Sequence, residues 1–117
     1  MEYALITVAE TRPFQRKAVR LLSRDENIEL IAYLSTHPNA GVLIQGIGGI
    51  RKLRWARSGR GKSGGVRVIY YFHSDKMPLY LLTLFGKKEK TDISLGEKNA
   101  LAKLVKELVR YWKLRNE

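Results

Sequence analysis

From Val66 to His73 the chain reads V-R-V-I-Y-Y-F-H, a run of β-branched and aromatic residues that commits this segment to a strand. That strand constrains everything around it. Leu79 to Phe85 (L-Y-L-L-T-L-F) is of the same kind, and Ser74 to Pro78 between them reads as a hairpin turn. Upstream, from Ile50, Arg51-Lys52-Leu53-Arg54-Trp55 alternates with period two. Leu53 and Trp55 fall on one face of that strand, Lys52 and Arg54 on the other. Three strands joined by turns predict an antiparallel meander. On the Val66–His73 strand, Arg67, Ile69, Tyr71 and His73 share a face. Val66, Val68, Tyr70 and Phe72 share the other, which suits the core.

The flanks are helical. Tyr3 to Val8 reads as a first strand, and Thr11-Arg12-Pro13 as a helix start, with proline preset for the first turn. Phe14, Ala18, Leu21 and Leu22 follow at helical spacing. Ser23 and Glu26 form a capping-box pattern that opens a second helix with Leu30, Ile31 and Leu34 on its apolar stripe. It ends near His37-Pro38, because the residue before a proline resists helical conformation. Pro38 to Gly49, with four glycines, reads as a loop. Ser94 and Glu97 repeat the capping box and open a last helix whose stripe is Leu101, Leu104, Val105, Leu108 and Trp112. The expected order is β-α-α-β-β-β-α: one α+β domain over residues 1–117, with an antiparallel-rich sheet and the helical hairpin and C-terminal helix packed on one side.

Charge sharpens the picture. The net charge is +11, and it is unevenly placed. Residues 1–49 carry five basic and five acidic side chains; residues 50–90 carry eleven basic and two acidic; residues 91–117 carry six and four. Nine of the eleven excess charges therefore sit in the strand region, the footprint of a surface made for RNA or another polyanion. Lys52, Arg54 and Arg67 are expected on one open sheet face, where unpaired like charges repel unless an anion relieves them.

Several chemistries are disfavoured. There is no cysteine, so disulfides, iron–sulfur clusters and thiol nucleophiles are ruled out. His37 and His73 lie far apart, which argues against a catalytic metal. No apolar run approaches the roughly 20 residues that span a bilayer. The start of the chain lacks a signal-peptide pattern, so a cytoplasmic protein is expected. Gly61-Lys62-Ser63 matches the end of a phosphate-binding P-loop, but Ala56 takes the place of its first glycine and a strand follows instead of a helix. The glycine-rich segment reads better as a hairpin tip whose Arg60 and Lys62 reach for phosphates. Cleaving RNA without a metal is still possible, because the 2′-hydroxyl can attack its own phosphate. The protein then orients that attack, moves protons and stabilises charge on phosphorus, which clustered Arg and Lys can do. A lysine among cations loses proton affinity and can accept a proton; tyrosine or histidine can share that work or stack on a base.

G-G-I-R-K-L-R-W-A, G-R-G-K-S-G-G-V-R-V-I-Y-Y-F and P-L-Y-L-L-T-L-F-G-K-K-E-K-T-D-I-S together resemble the RelE/ParE superfamily of bacterial type II toxins, in particular its RelE/HigB-like branch. The resemblance implies a ribosome-dependent mRNA endoribonuclease, held inactive by a cognate antitoxin protein, that uses no metal, small-molecule cofactor or membrane. It also implies site residues. Lys52 and Arg54 match the basic pair of the family's second strand. Arg67 matches its phosphate-binding arginine, and Lys87 and Lys88 the basic pair ending the last strand. Lys52, Arg54, Arg67 and Lys88 are the expected catalytic set; Arg51, Arg57, Arg60, Lys62, Tyr71, His73, Lys87 and Lys90 are the expected RNA contacts. The family's tyrosine after the last strand is replaced here by Ser94, leaving Tyr71, His73 or the lysines to take over. Two alternatives come from other classes: a non-enzymatic inhibitor of DNA gyrase like the ParE branch, and a plain RNA-binding module.

Overall fold

Thr11 ties the first helix to the sheet. In the computed structural model, which describes residues 5–56, 65–90 and 92–116, the elements run β1 (Val8–Glu10), α1 (Arg12–Leu21), α2 (Arg24–Thr36), β2 (Val42–Leu43), β3 (Ile50–Trp55), β4 (Val66–Tyr71), β5 (Leu79–Gly86) and α3 (Leu95–Asn116). The Thr11 hydroxyl caps α1 by accepting from Phe14 N, and it donates to the β5 carbonyl of Leu81 at 2.8 Å. Only Leu22 and Ser23 separate α1 from α2. The predicted capping box is formed: Ser23 N donates to Glu26 Oε1 at 2.7 Å and Glu26 N to Ser23 Oγ at 3.1 Å. Such caps satisfy amide donors that a helix start leaves open.

The sheet order is β1-β5-β4-β3-β2. The predicted meander β3–β4–β5 is antiparallel throughout, and β1 joins its edge parallel to β5. Three strands differ from expectation, β4 by stopping at Tyr71, two residues short of His73. The first strand, of whose expected span Tyr3 and Ala4 lie outside the described residues, runs from Val8, paired with Leu79, while Ile6 N donates instead to Ser35 O of α2. The glycine-rich loop contains β2, two residues paired with Arg51 and Lys52. A strand this short leaves no periodic signal.

The helices do not lie on one side. The α1–α2 hairpin covers one face, packing Phe14, Ala18, Leu22, Leu30 and Leu34 on Val66, Val68, Tyr70, Leu79, Leu81 and Leu84. Helix α3 covers part of the other, where Leu101 and Val105 meet Ile50, Ile69, Tyr71, Leu82 and Phe85. The reason lies in β4 and β5, which carry apolar side chains on both faces, and a strand of that kind must be covered twice. A bulge in β5 adjusts the phase. Ile69 pairs with Thr83 but Tyr70 with Leu81, leaving Leu82 over. Phe85 thereby falls opposite Arg67, on the α3 face.

Tyr70 anchors the loop before β2. Its hydroxyl accepts from Gly41 N and donates to Pro38 O, both at 2.8 Å. A Cβ at Gly41 would stand 2.9 Å from the Tyr70 ring, so glycine permits this approach. Tyr70→Phe leaves both backbone groups without their partner. The expected loss is about 1–3 kcal/mol in denaturant unfolding, with an unchanged slope.

Candidate nucleic-acid interface

Strand register assembles the cations. Arg54 of β3 stands directly opposite Arg67 of β4, and Lys52 opposite Ile69. Directly opposed residues share a face with Cβ atoms about 4.5–5.5 Å apart, so two guanidinium stems rise side by side. Phe85 of β5 lies on the other flank of Arg67. Leu53 and Trp55 face the hairpin, with Trp55 against Tyr33 at 5.3 Å, as the alternation predicts. Arg54 is exposed and Arg67 half-buried. The Nη1 atom of Arg67 is buried without a hydrogen-bond partner among the described residues. A buried donor left open costs stability unless a ligand satisfies it.

The segment after β5 adds charges of both signs. Lys87 and Lys88 are exposed at the strand end. Lys52 Nζ donates to Asp92 Oδ1 at 3.3 Å. That oxygen also accepts from Ile93 N at 2.8 Å, and this backbone bond, with Lys52 and then Lys98 beside it, holds the Asp92 carboxyl below its usual range. Lys90 lies 5.1 Å from the centroid of the Phe85 ring and pairs with Glu97. Ser94 and Glu97 form the second predicted capping box, at 2.8 and 3.1 Å. The Lys90 bond, and then the Ser94 amide, push the Glu97 carboxyl down to about 2. Because this pKa is lowered from 4.5, its stabilisation is complete above the unfolded value and disappears as pH falls toward 2. Glu97 is part-exposed, so screening leaves about 1 kcal/mol. In acid titrations between pH 5 and 2, Glu97→Gln is expected to lack that share of the wild-type loss.

Other expected RNA contacts lie elsewhere. Arg51 has the parity of Leu53 and Trp55, not of Lys52. It sits opposite Tyr70 on the hairpin face, and its Nη1 donates to Gly41 O at 2.7 Å and Asn39 O at 3.2 Å. Its guanidinium braces a loop. Tyr71 is buried under α3, four residues along β4 from Arg67, or about 13 Å at strand rise. Burial also raises its pKa. His73 follows the strand end and stands 3.3 Å from the Tyr71 hydroxyl, beside Trp112 and Lys113. Tyr71 shares the sheet face of Arg67 but lies toward its other end under α3, and the Ser94 hydroxyl caps that helix. Arg57, Arg60 and Lys62 lie outside the described residues. Sequence reasoning missed that Phe85 flanks Arg67 and that Asp92 and Glu97 pair with Lys52 and Lys90. The one available signal was that K-K-E-K is followed so soon by two acids.

An antiparallel meander with a helical hairpin on one face and a partly open, arginine-paired opposite face defines a small basic α+β protein with a concentrated cationic surface. The chain belongs to the RelE toxin family: the family described as "RelE toxin of RelE / RelB toxin-antitoxin system" matches residues 8–115. Among solved structures it is similar to the E. coli toxin RelE in the free state, a double arginine-to-alanine mutant. The identity is 16% and the TM-score 0.55, over 74% of this chain and 87% of that one. At that identity the likeness is one of fold. Membership makes this chain the toxin half of a toxin–antitoxin system, a class defined by an antitoxin partner. Among the described residues no helix is long and apolar enough to cross a membrane.

Proposed function

We propose that this toxin, in the RelE/HigB-like manner, cleaves messenger RNA on the ribosome by directing the RNA's own 2′-hydroxyl at the adjacent phosphate. The observation that carries the reading is the opposed pair Arg54 and Arg67 on an open face, with a buried Arg67 nitrogen that has no hydrogen-bond partner among the described residues. A phosphate supplies what that pair lacks: negative charge between the guanidiniums and acceptor oxygens for Nη1. Attack by the 2′-oxygen forms a new P–O bond, the P–O5′ bond breaks, and a 2′,3′-cyclic phosphate and a 5′-hydroxyl result.

Arg67, with Lys88, stabilises the charge that builds on the phosphoryl oxygens. Arginine stays charged at working pH, so the proton of the 2′-hydroxyl goes to Lys52, which must first leave Asp92 and release its own ammonium proton to solvent, while the departing 5′-oxygen takes its proton from water. Arg54 holds the phosphate in line. A face of lysines and arginines repels a divalent cation, which favours chemistry that draws on the RNA's own nucleophile. The antitoxin partner neutralises the toxin until it is released.

Mapping cut ends on ribosome-bound message tests this. The upstream fragment is expected to carry a cyclic phosphate, and a single 2′-deoxynucleotide at the cut site to block cleavage. A cut that survives the deoxy substitution rejects the mechanism. Loss of DNA supercoiling without any cut message would point to gyrase instead.

A further inference from the structure

We propose that Asp92 is an internal stand-in for the RNA phosphate: it holds Lys52 in the free protein and is displaced from it when RNA binds. This rests on reading the cationic face as the RNA surface. Two carboxylates oppose lysines there, and they are held differently. Glu97 is bound by Lys90 and by the Ser94 amide within a helix cap, so it cannot leave without opening the start of α3. Asp92 lies outside any helix, and its side chain is 54% exposed. Its bond to Lys52 is long at 3.3 Å, whereas its bond to Ile93 N is 2.8 Å. The backbone therefore aims the carboxylate, and Lys52 is the weaker partner. When Lys52 departs, Asp92 keeps Ile93 N and the nearby charge of Lys98.

The exchange is favourable on general grounds. An exposed Lys–Asp pair contributes little. A phosphate on this face would meet Lys52, Arg54 and Arg67 together, and charge-assisted bonds to guanidinium are among the stronger polar contacts. Until RNA arrives, Asp92 keeps the Lys52 ammonium extended over the face and prevents it from folding into solvent. Asp92 is thus a positioning residue that acts through Lys52, at a modest cost in RNA affinity.

The test is binding of a fluorescent single-stranded RNA to the full chain at fixed low salt. Asp92→Asn keeps an oxygen for Ile93 N but loses the charge, and is expected to tighten binding about threefold, the size of an exposed ion pair. Asp92→Glu is expected to restore wild-type affinity. In a Lys52→Ala background, Asp92→Asn is expected to have no effect, because its action runs through that lysine. Unchanged affinity in Asp92→Asn, or an equal gain with and without Lys52, overturns the inference. Cleavage mapping on the same proteins separates the two ideas. Coupled binding with no cut message rejects the nuclease and leaves Asp92 its role; cut message with uncoupled binding does the reverse.

Discussion

Arg67→Ala is expected to abolish growth arrest and to lower ribosome-dependent cleavage by about 10²–10³-fold, the usual loss when one donor to a developing oxyanion is removed. The fold should be untouched. The Arg67 Nη1 has no partner to lose among the described residues, and the aliphatic stem lies between Arg54 and Phe85 on a face that α3 leaves partly open. Removing one of two opposed guanidiniums also relieves repulsion, so the thermal midpoint is expected to hold or rise slightly. Arg67→Lys separates charge from geometry. An ammonium keeps the charge but cannot grip two phosphoryl oxygens at once, so its activity should fall between wild type and alanine. Cleaved ends counted by primer extension, alongside thermal unfolding, give both readouts. Unchanged cleavage in the alanine variant would remove Arg67 from the site.

Much of this was legible because it is local. Thr11, Ser23 and Ser94 cap helices through atoms at most three residues away, so the helix starts follow from short motifs. Strand alternation separated Lys52 and Arg54 from Leu53 and Trp55, and the register confirms it by setting Arg54 against Arg67. Parity also assigns Arg51 to the wrong face for RNA, a reading that net charge obscured. What stayed hidden depends on distant partners. The two-sided burial of β4 and β5 became plain only when α3 was found opposite the hairpin, although V-I-Y-Y-F is already apolar on both faces. The phase of Phe85 depends on a bulge at Leu82 that no pattern announces. The Lys52–Asp92 contact joins residues forty apart, and nothing in either segment's composition brings them together.

Phe85 belongs both to the core under α3 and to the neighbourhood of Arg67 and Lys90, so its truncation is expected to damage both fold and binding. The ring is buried at 1% exposure among Ile69, Leu82, Leu101 and Val105; it stands beside Arg67 across the strand pair and lies under the Lys90 ammonium. Phe85→Ala leaves a cavity in that core, at a cost of about 3–5 kcal/mol. A domain of this kind has about 5–15 kcal/mol in all. The thermal midpoint should then fall on the order of 10 °C or more. Phe85→Leu fills most of the space and should cost about 1 kcal/mol. It still removes the ring face that Lys90 rests on, a contact of about 0.5–1 kcal/mol at a part-exposed site. Lys90 keeps Glu97, so the expected result for leucine is a nearly intact fold with RNA binding weakened about two- to threefold. If Phe85→Leu binds RNA as wild type does while Phe85→Ala merely unfolds, the ring is core alone.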